Sequence, residues 1–157
     1  METNSKFQDM AIAPMHTAEH LLNQTMVRMF GCPRSKNAHI ERKKSKINYV
    51  LAHEPSAEQI IQIESKMNEL IQAALPVSYE FVRREEVPDY IPLDRLSDDA
   101  DEIRLVRIGD YDVCACVGCH VAHTGELGGF KINSTSYQNG QFRIVFKLQG
   151  KGDKANI

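Results

Sequence analysis

No run of residues in this chain is apolar for long enough to span a bilayer. No internal repeat or low-complexity tract is visible either. Met1 to Ala13 lacks a basic segment followed by an apolar one, so no secretory signal is expected there. Net charge is small, −2, which excludes a surface that attracts polyanions all over. Cysteine is scarce: Cys32, Cys114, Cys116 and Cys119 are the whole set. Three of them crowd into six residues, a pattern for metal ligation or reduced thiols rather than a disulfide framework. A cytoplasmic location and no membrane partner are the resulting expectations.

What is present is ordinary globular material. Hydrophobic residues make up 42% and charged residues 25% of 157, enough apolar surface for one core and one domain. The expected boundaries are a flexible leader over residues 1–14, a single domain over 15–150 and a tail over 151–157. Charge is distributed unevenly. Arg34, Lys36, Arg42, Lys43, Lys44 and Lys46 form a basic run, and Asp94 to Glu102 is acidic. A local basic patch can meet phosphates on a slightly acidic protein, and it can equally be a solvated loop.

Apolar residues Leu21, Leu22, Met26, Val27 and Phe30 recur at helical spacing, predicting a helix over Thr17 to Phe30 that Gly31 and Pro33 end. Residues 32 to 46 read as a loop or twisted hairpin, and Ile47 to Ala52 as a strand. Ser56 is a candidate N-cap for a second helix over Ala57 to Ala73, with Ile60, Ile61, Ile63, Met67, Leu70 and Ile71 on its apolar side. Leu75 to Val82 reads as a strand and Arg83 to Ala100 as irregular. Ile103 to Ile108 and Tyr111 to Cys116 are strands around a Gly109-Asp110 turn. Gly129 to Tyr137 and Gln141 to Leu148 flank Asn139-Gly140, a strong hairpin signal. The sum is an α+β fold, two main helices packed on a largely antiparallel sheet.

Two segments carry chemistry. In His16-Thr-Ala-Glu-His20 the histidines are four apart and share one helix face. The glutamate precedes the second histidine, unlike the zinc-protease pattern. Cys116-Val-Gly-Cys119-His120 offers a thiolate and an imidazole, donors that suit zinc. The second segment also spells the c-type haem attachment signal. A structural zinc site and inert core cysteines are further readings, and spacing alone cannot unite the two segments.

Together they resemble a known family. His16-Thr-Ala-Glu-His20-Leu-Leu resembles the His-x-x-x-His motif of the alanyl-tRNA synthetase editing domain. Cys116 to Ile132, with its Thr124-Gly125-Glu-Leu-Gly128-Gly-Phe-Lys-Ile run, resembles that domain's second motif. Leu75-Pro76-Val77, Arg84-Glu85-Glu86 and Val106 to Tyr111 follow the same flow, so the resemblance covers about residues 14 to 149. Within the family the chain looks like a short, free-standing AlaX-type protein. The resemblance implies the second-additional-domain fold of threonyl- and alanyl-tRNA synthetases. It implies Zn2+ held by His16, His20, Cys116 and His120, and hydrolysis of mischarged tRNA, Ser- or Gly-tRNA(Ala). Thr124, Gly125 and Gly128 would lie beside the substrate. Thr17, Thr124 or Cys119 would meet a substrate hydroxyl, and His123 and Glu126 are candidate bases. The basic run from Arg34 to Lys46 would meet the acceptor stem. Val117-Gly118-Cys119 replaces the usual Gly-Gly-Thr. The Gln-x-Gly-Ser pattern has no clean match, with His39 as a stand-in. The alternatives are a non-catalytic zinc-stabilised module that binds tRNA or protein, and editing of a threonine tRNA.

Overall fold

A computed structural model describes residues 10–93 and 100–149. The tail over 151–157, most of the leader and most of the acidic run lie outside the described residues. A short 3-10 turn, Met10–Ile12, leads into helix α1, Ala13–Phe30. The helix starts four residues before the predicted Thr17, and it takes in the last two residues assigned to the leader. Pro14 sits in its first turn, where a missing N–H costs nothing. Gly31 ends it with φ 69°, its N–H bonded to the Val27 carbonyl at 2.9 Å.

Strands β1 (Asn37–His39) and β2 (Ser45–Val50) form the hairpin for which residues 32–46 left room. Helix α2 is Ala57–Gln72. Its capping box joins Ser56 and Gln59 reciprocally, at 3.1 and 2.9 Å. Ile63, Met67, Leu70 and Ile71 face the core. Ile61, predicted on the same side, is 68% exposed. Two residues at about 100° each carry it round to the opposite face from Ile63.

Strands β3 (Val77–Arg83), β4 (Glu102–Ile108) and β5 (Asp112–Ala115) make a three-stranded antiparallel sheet. Strands β6 (Phe130–Gln138) and β7 (Gln141–Leu148) join β1 and β2 in a four-stranded sheet of order β1-β2-β7-β6, also antiparallel throughout. The strands therefore divide over two sheets. The β6–β7 turn is the two-residue one that Asn139-Gly140 predicts, with φ 54° and 76°. Asn68 on α2 pairs with the backbone of Phe130 in both directions, at 2.8 and 3.0 Å, and Glu64 accepts from Ile132 N–H at 2.7 Å. These side chains satisfy the start of β6, an edge strand.

Both helices and the inner face of the four-stranded sheet enclose the main core, with Tyr49, Phe142 and Phe146 almost fully buried. From Met15 to Asn23 every residue of α1 is buried. Five of them, His16, Thr17, Glu19, His20 and Asn23, carry polar or ionisable side chains. Such groups are costly to bury without partners, and their partners define the site.

Candidate metal centre and cleft

Two periodicities meet here. His16 and His20 are one helical turn apart on α1. Asp112 and Cys114 alternate along β5, and Cys116 follows two residues on, so all three fall on the sheet face toward α1. Val106, their neighbour on β4, is buried on that same face. The loop after β5 then returns His120 to the two α1 histidines. The ligand atoms of His16, His20, Cys116 and His120 all lie within 4.8 Å of one another. The His16 and His120 rings stack at 4.4 Å, and the His20 ring meets His120 edge-on at 4.4 Å.

Hydrogen bonds fix the imidazoles. His16 Nδ1 is 3.2 Å from the Cys119 carbonyl, which can only accept. Nδ1 therefore carries the proton, and Nε2 faces Cys116 Sγ at 3.4 Å as an acceptor. His120 Nδ1 meets Thr17 Oγ1 at 3.0 Å, and that oxygen also accepts from Val121 N–H at 3.2 Å. His120 Nε2 is buried and without a hydrogen-bond partner. A buried nitrogen lone pair aimed at two imidazoles and a thiol is what a bound cation would satisfy. Burial, with smaller contributions from His16 and Arg104, holds the His120 pKa down at about 3. The ring is thus neutral, the form that binds a metal. Three imidazole nitrogens and one sulfur fit tetrahedral zinc.

Around the candidate ligands stand residues that the sequence motifs do not mark. Asp112, its side chain fully buried, accepts from Arg34 Nη1 at 2.7 Å and from Gln24 Nε2 at 3.1 Å, and lies 3.9 Å from His20 Nδ1. Cys114 Sγ is 3.1 Å from His20 Nδ1, and burial raises its thiol well above the ordinary value. Arg104 donates to the carbonyls of Cys116, at 2.8 Å, and Gly118. Gly118 N–H points at Cys116 Sγ at 3.4 Å. These bonds shape the Cys116–Gly118 loop. The two-residue alternation of 112, 114 and 116 was a usable signal for Asp112 and Cys114. Nothing local marked Arg104.

A cleft of about 700 Å³ opens beside the cluster, within the range of small-molecule sites. His16, Glu19, His20 and Cys116 line its inner end, and Lys36 and Tyr90 line it further out. Glu19 is buried, 3.8 Å from His16 Nε2.

Several predicted contacts lie elsewhere. Thr124 does not line the cleft. Its hydroxyl donates to the Leu70 carbonyl at 2.7 Å and accepts from Leu75 N–H at 2.8 Å, so it pins the end of α2 to the approach to β3. Gly125 and Gly128 belong to the adjoining 3-10 turn, Thr124–Leu127 and its cap, also outside the cleft lining. Gly128 has φ 79°, and a Cβ on Gly125 would sit 2.9 Å from the His123 ring. Shape, not substrate contact, explains these glycines. His123 and Glu126 close a capping box over the same turn. Glu126 accepts from the N–H groups of Ala122 and His123, and His123 Nδ1 accepts from Gly125 N–H. Neither lines the cleft, so neither is placed to act as its base. Thr17 supports His120 and does not reach the cleft lining. His39 is exposed on β1, outside the lining. Of the basic run, Lys36, Arg42, Lys43, Lys44 and Lys46 are exposed, but Arg34 turns inward to Asp112.

Residues 103–156 match the family described as the threonyl and alanyl tRNA synthetase second additional domain. The alanine–tRNA ligase of Oceanobacillus iheyensis is 34% identical over 119 residues, 74% of this chain. Those of Bacillus subtilis and Pyrobaculum aerophilum are 31% and 34% identical, each over 87% of it. The chain is of the alanyl-tRNA synthetase editing-domain type. It spans only 14% to 16% of the length of these relatives. The family match holds Cys116 and His120, while α1, with His16 and His20, lies outside it. In this editing-domain-type chain the two halves of the cluster are joined by the fold.

Proposed function

We propose that this chain is a trans-editing hydrolase that removes serine or glycine from mischarged tRNA(Ala), with Zn2+ held by His16, His20, Cys116 and His120. The observation that carries this reading is the buried, unpartnered His120 Nε2 among two further imidazoles and a thiol, those of His16, His20 and Cys116, which line an open cleft. Zinc bound there supplies Lewis acidity, to polarise an ester carbonyl or to hold the substrate's amino group. Thr17 and the Cys119 carbonyl hold the His120 and His16 rings in orientation. Arg104 holds the loop that presents Cys116. Glu19 places a carboxylate in the cleft beside His16, suited to the cationic α-amino group of an aminoacyl ester. An ester is labile, so positioning it against water supplies much of the rate. Exposed Lys36, on the cleft's lining, is suited to the terminal phosphates of tRNA. All four cysteines are free, and a reducing cytoplasm, where we place the protein, would keep them so. Purified protein of known zinc content, mixed with Ser-tRNA(Ala) and Gly-tRNA(Ala), tests the reading. Deacylation well above the buffer rate, lost after chelation, is the expected result. Zinc at one equivalent with only the buffer rate would favour a non-catalytic tRNA-binding module, and hydrolysis confined to mischarged threonine tRNA would redirect the substrate.

A further inference from the structure

The outward face of the four-stranded sheet is cationic in a way that folding does not explain. Lys131 on β6 lies directly opposite Lys147 on β7. Like charges directly opposite one another weaken a strand pair. Lys46 on β2 pairs with Val145, which sets it diagonally between Lys147 and Arg143. Lys46, Lys131 and Arg143 are exposed and Lys147 half-buried. Between them stand hydrogen-bonding residues: Asn48, which accepts from Arg143 Nε at 3.0 Å, and Ser134 and Ser136 on β6. No aspartate or glutamate occupies an outward strand position of this sheet. Glu41, in the β1–β2 turn, is the flanking acid, and Arg42, Lys43 and Lys44 share that turn. The turn is at the same end of the sheet as Lys131 and Lys147, because Ser45 pairs with Phe146 and Phe130 with Leu148. The cationic face thus spans β6, β7 and β2, and β1 is the next strand at its edge. Beyond β1 it meets the cleft, whose lining includes Lys36 and Ala38.

We propose that this sheet face, through Lys46, Lys131, Arg143 and Lys147, is the docking surface for the paired stem of an RNA, whose unpaired 3′ end rounds β1 into the cleft. A wide cationic surface with interspersed hydroxyls and amides suits phosphate and ribose contacts without base readout. Uncompensated like charge, unfavourable alone, becomes favourable when phosphates neutralise it. The inference rests on the trans-editing reading for the identity of the RNA. Its test does not depend on hydrolysis.

The probe is an unacylated RNA acceptor-stem hairpin with an unpaired 3′ tail, its binding followed by fluorescence anisotropy between about 50 and 200 mM salt. Lys131→Ala with Lys147→Ala should weaken binding roughly tenfold or more and lower the slope of log affinity against log salt by about 2. Its melting temperature should be unchanged or higher, since the repulsive pair is gone. Lys66→Ala, on the exposed side of α2 and away from this face, should change neither quantity. Unchanged affinity and slope in the double variant would overturn the proposal, as would an equal loss in Lys66→Ala. Tighter binding of wild type to anionic phospholipid vesicles than to the hairpin would also overturn it. A wild type that docks the hairpin through these residues yet hydrolyses no ester would leave the surface standing and refute only the editing reading.

Discussion

Thr17 and His120 are 103 residues apart in sequence, and Thr17 Oγ1 lies 3.0 Å from His120 Nδ1. The threonine hydroxyl fixes the ring so that Nε2 is left for the other three residues of the cluster. Partners of this kind typically change metal affinity by about 10–100-fold when removed. Thr17→Val should therefore weaken zinc binding by about that factor in a competition with a chromophoric chelator, while Thr17→Ser restores most of it. Wild-type affinity in Thr17→Val would show that the hydroxyl is only a packing contact.

Arg34 belongs by sequence to the basic run expected to face phosphates, and the fold turns it to the buried Asp112. Removing it leaves that carboxylate with Gln24 as its remaining strong donor. Arg34→Ala should cost about 2–3 kcal/mol in urea unfolding, the cost of a largely buried charge without its counter-ion. Lys43→Ala, at an exposed turn position, should stay within about 0.5 kcal/mol of wild type.

Thr124 should behave as a structural residue. Thr124→Val strands the Leu70 carbonyl and the Leu75 N–H, both of which its hydroxyl satisfies. A loss of about 1–3 kcal/mol in stability is expected, with zinc stoichiometry unchanged. Glu126→Gln keeps an acceptor for the capping box and should leave deacylation close to wild type. A large loss of rate with normal stability in either variant would return that turn to the active site.

The pH response of the metal-free protein has a definite sign. His120 titrates at about 3 in the folded chain, against 6.5 ordinarily, chiefly because it is buried. As pH falls, the unfolded chain takes up the proton first. The folded state therefore keeps its full advantage above about pH 6.5 and loses it progressively down to about pH 3. This group can contribute a slope approaching about 1.4 kcal/mol per pH unit within that window. Unfolding free energies of zinc-stripped protein should fall across it, and His120→Asn should flatten the fall. An unchanged slope in the variant would assign the acid sensitivity to other groups.

Local patterns determined much of this protein. Helical spacing, the Ser56–Gln59 cap and Asn139-Gly140 specify α2 and the β6–β7 hairpin because each acts within a few residues. The His16/His20 and Cys116/His120 pairs, together with the family resemblance, pointed to the four residues that the fold gathers into one candidate metal cluster. Tertiary structure alone decided the rest. It split the strands into two sheets, turned Arg34 from solvent to Asp112, brought Arg104 to the Cys116 loop and closed Thr124, His123 and Glu126 into a turn outside the cleft. Spacing along a chain gives which side chains share a face. Which faces then meet depends on burial summed over distant segments, and a buried polar group takes whichever partner that packing brings within hydrogen-bond reach.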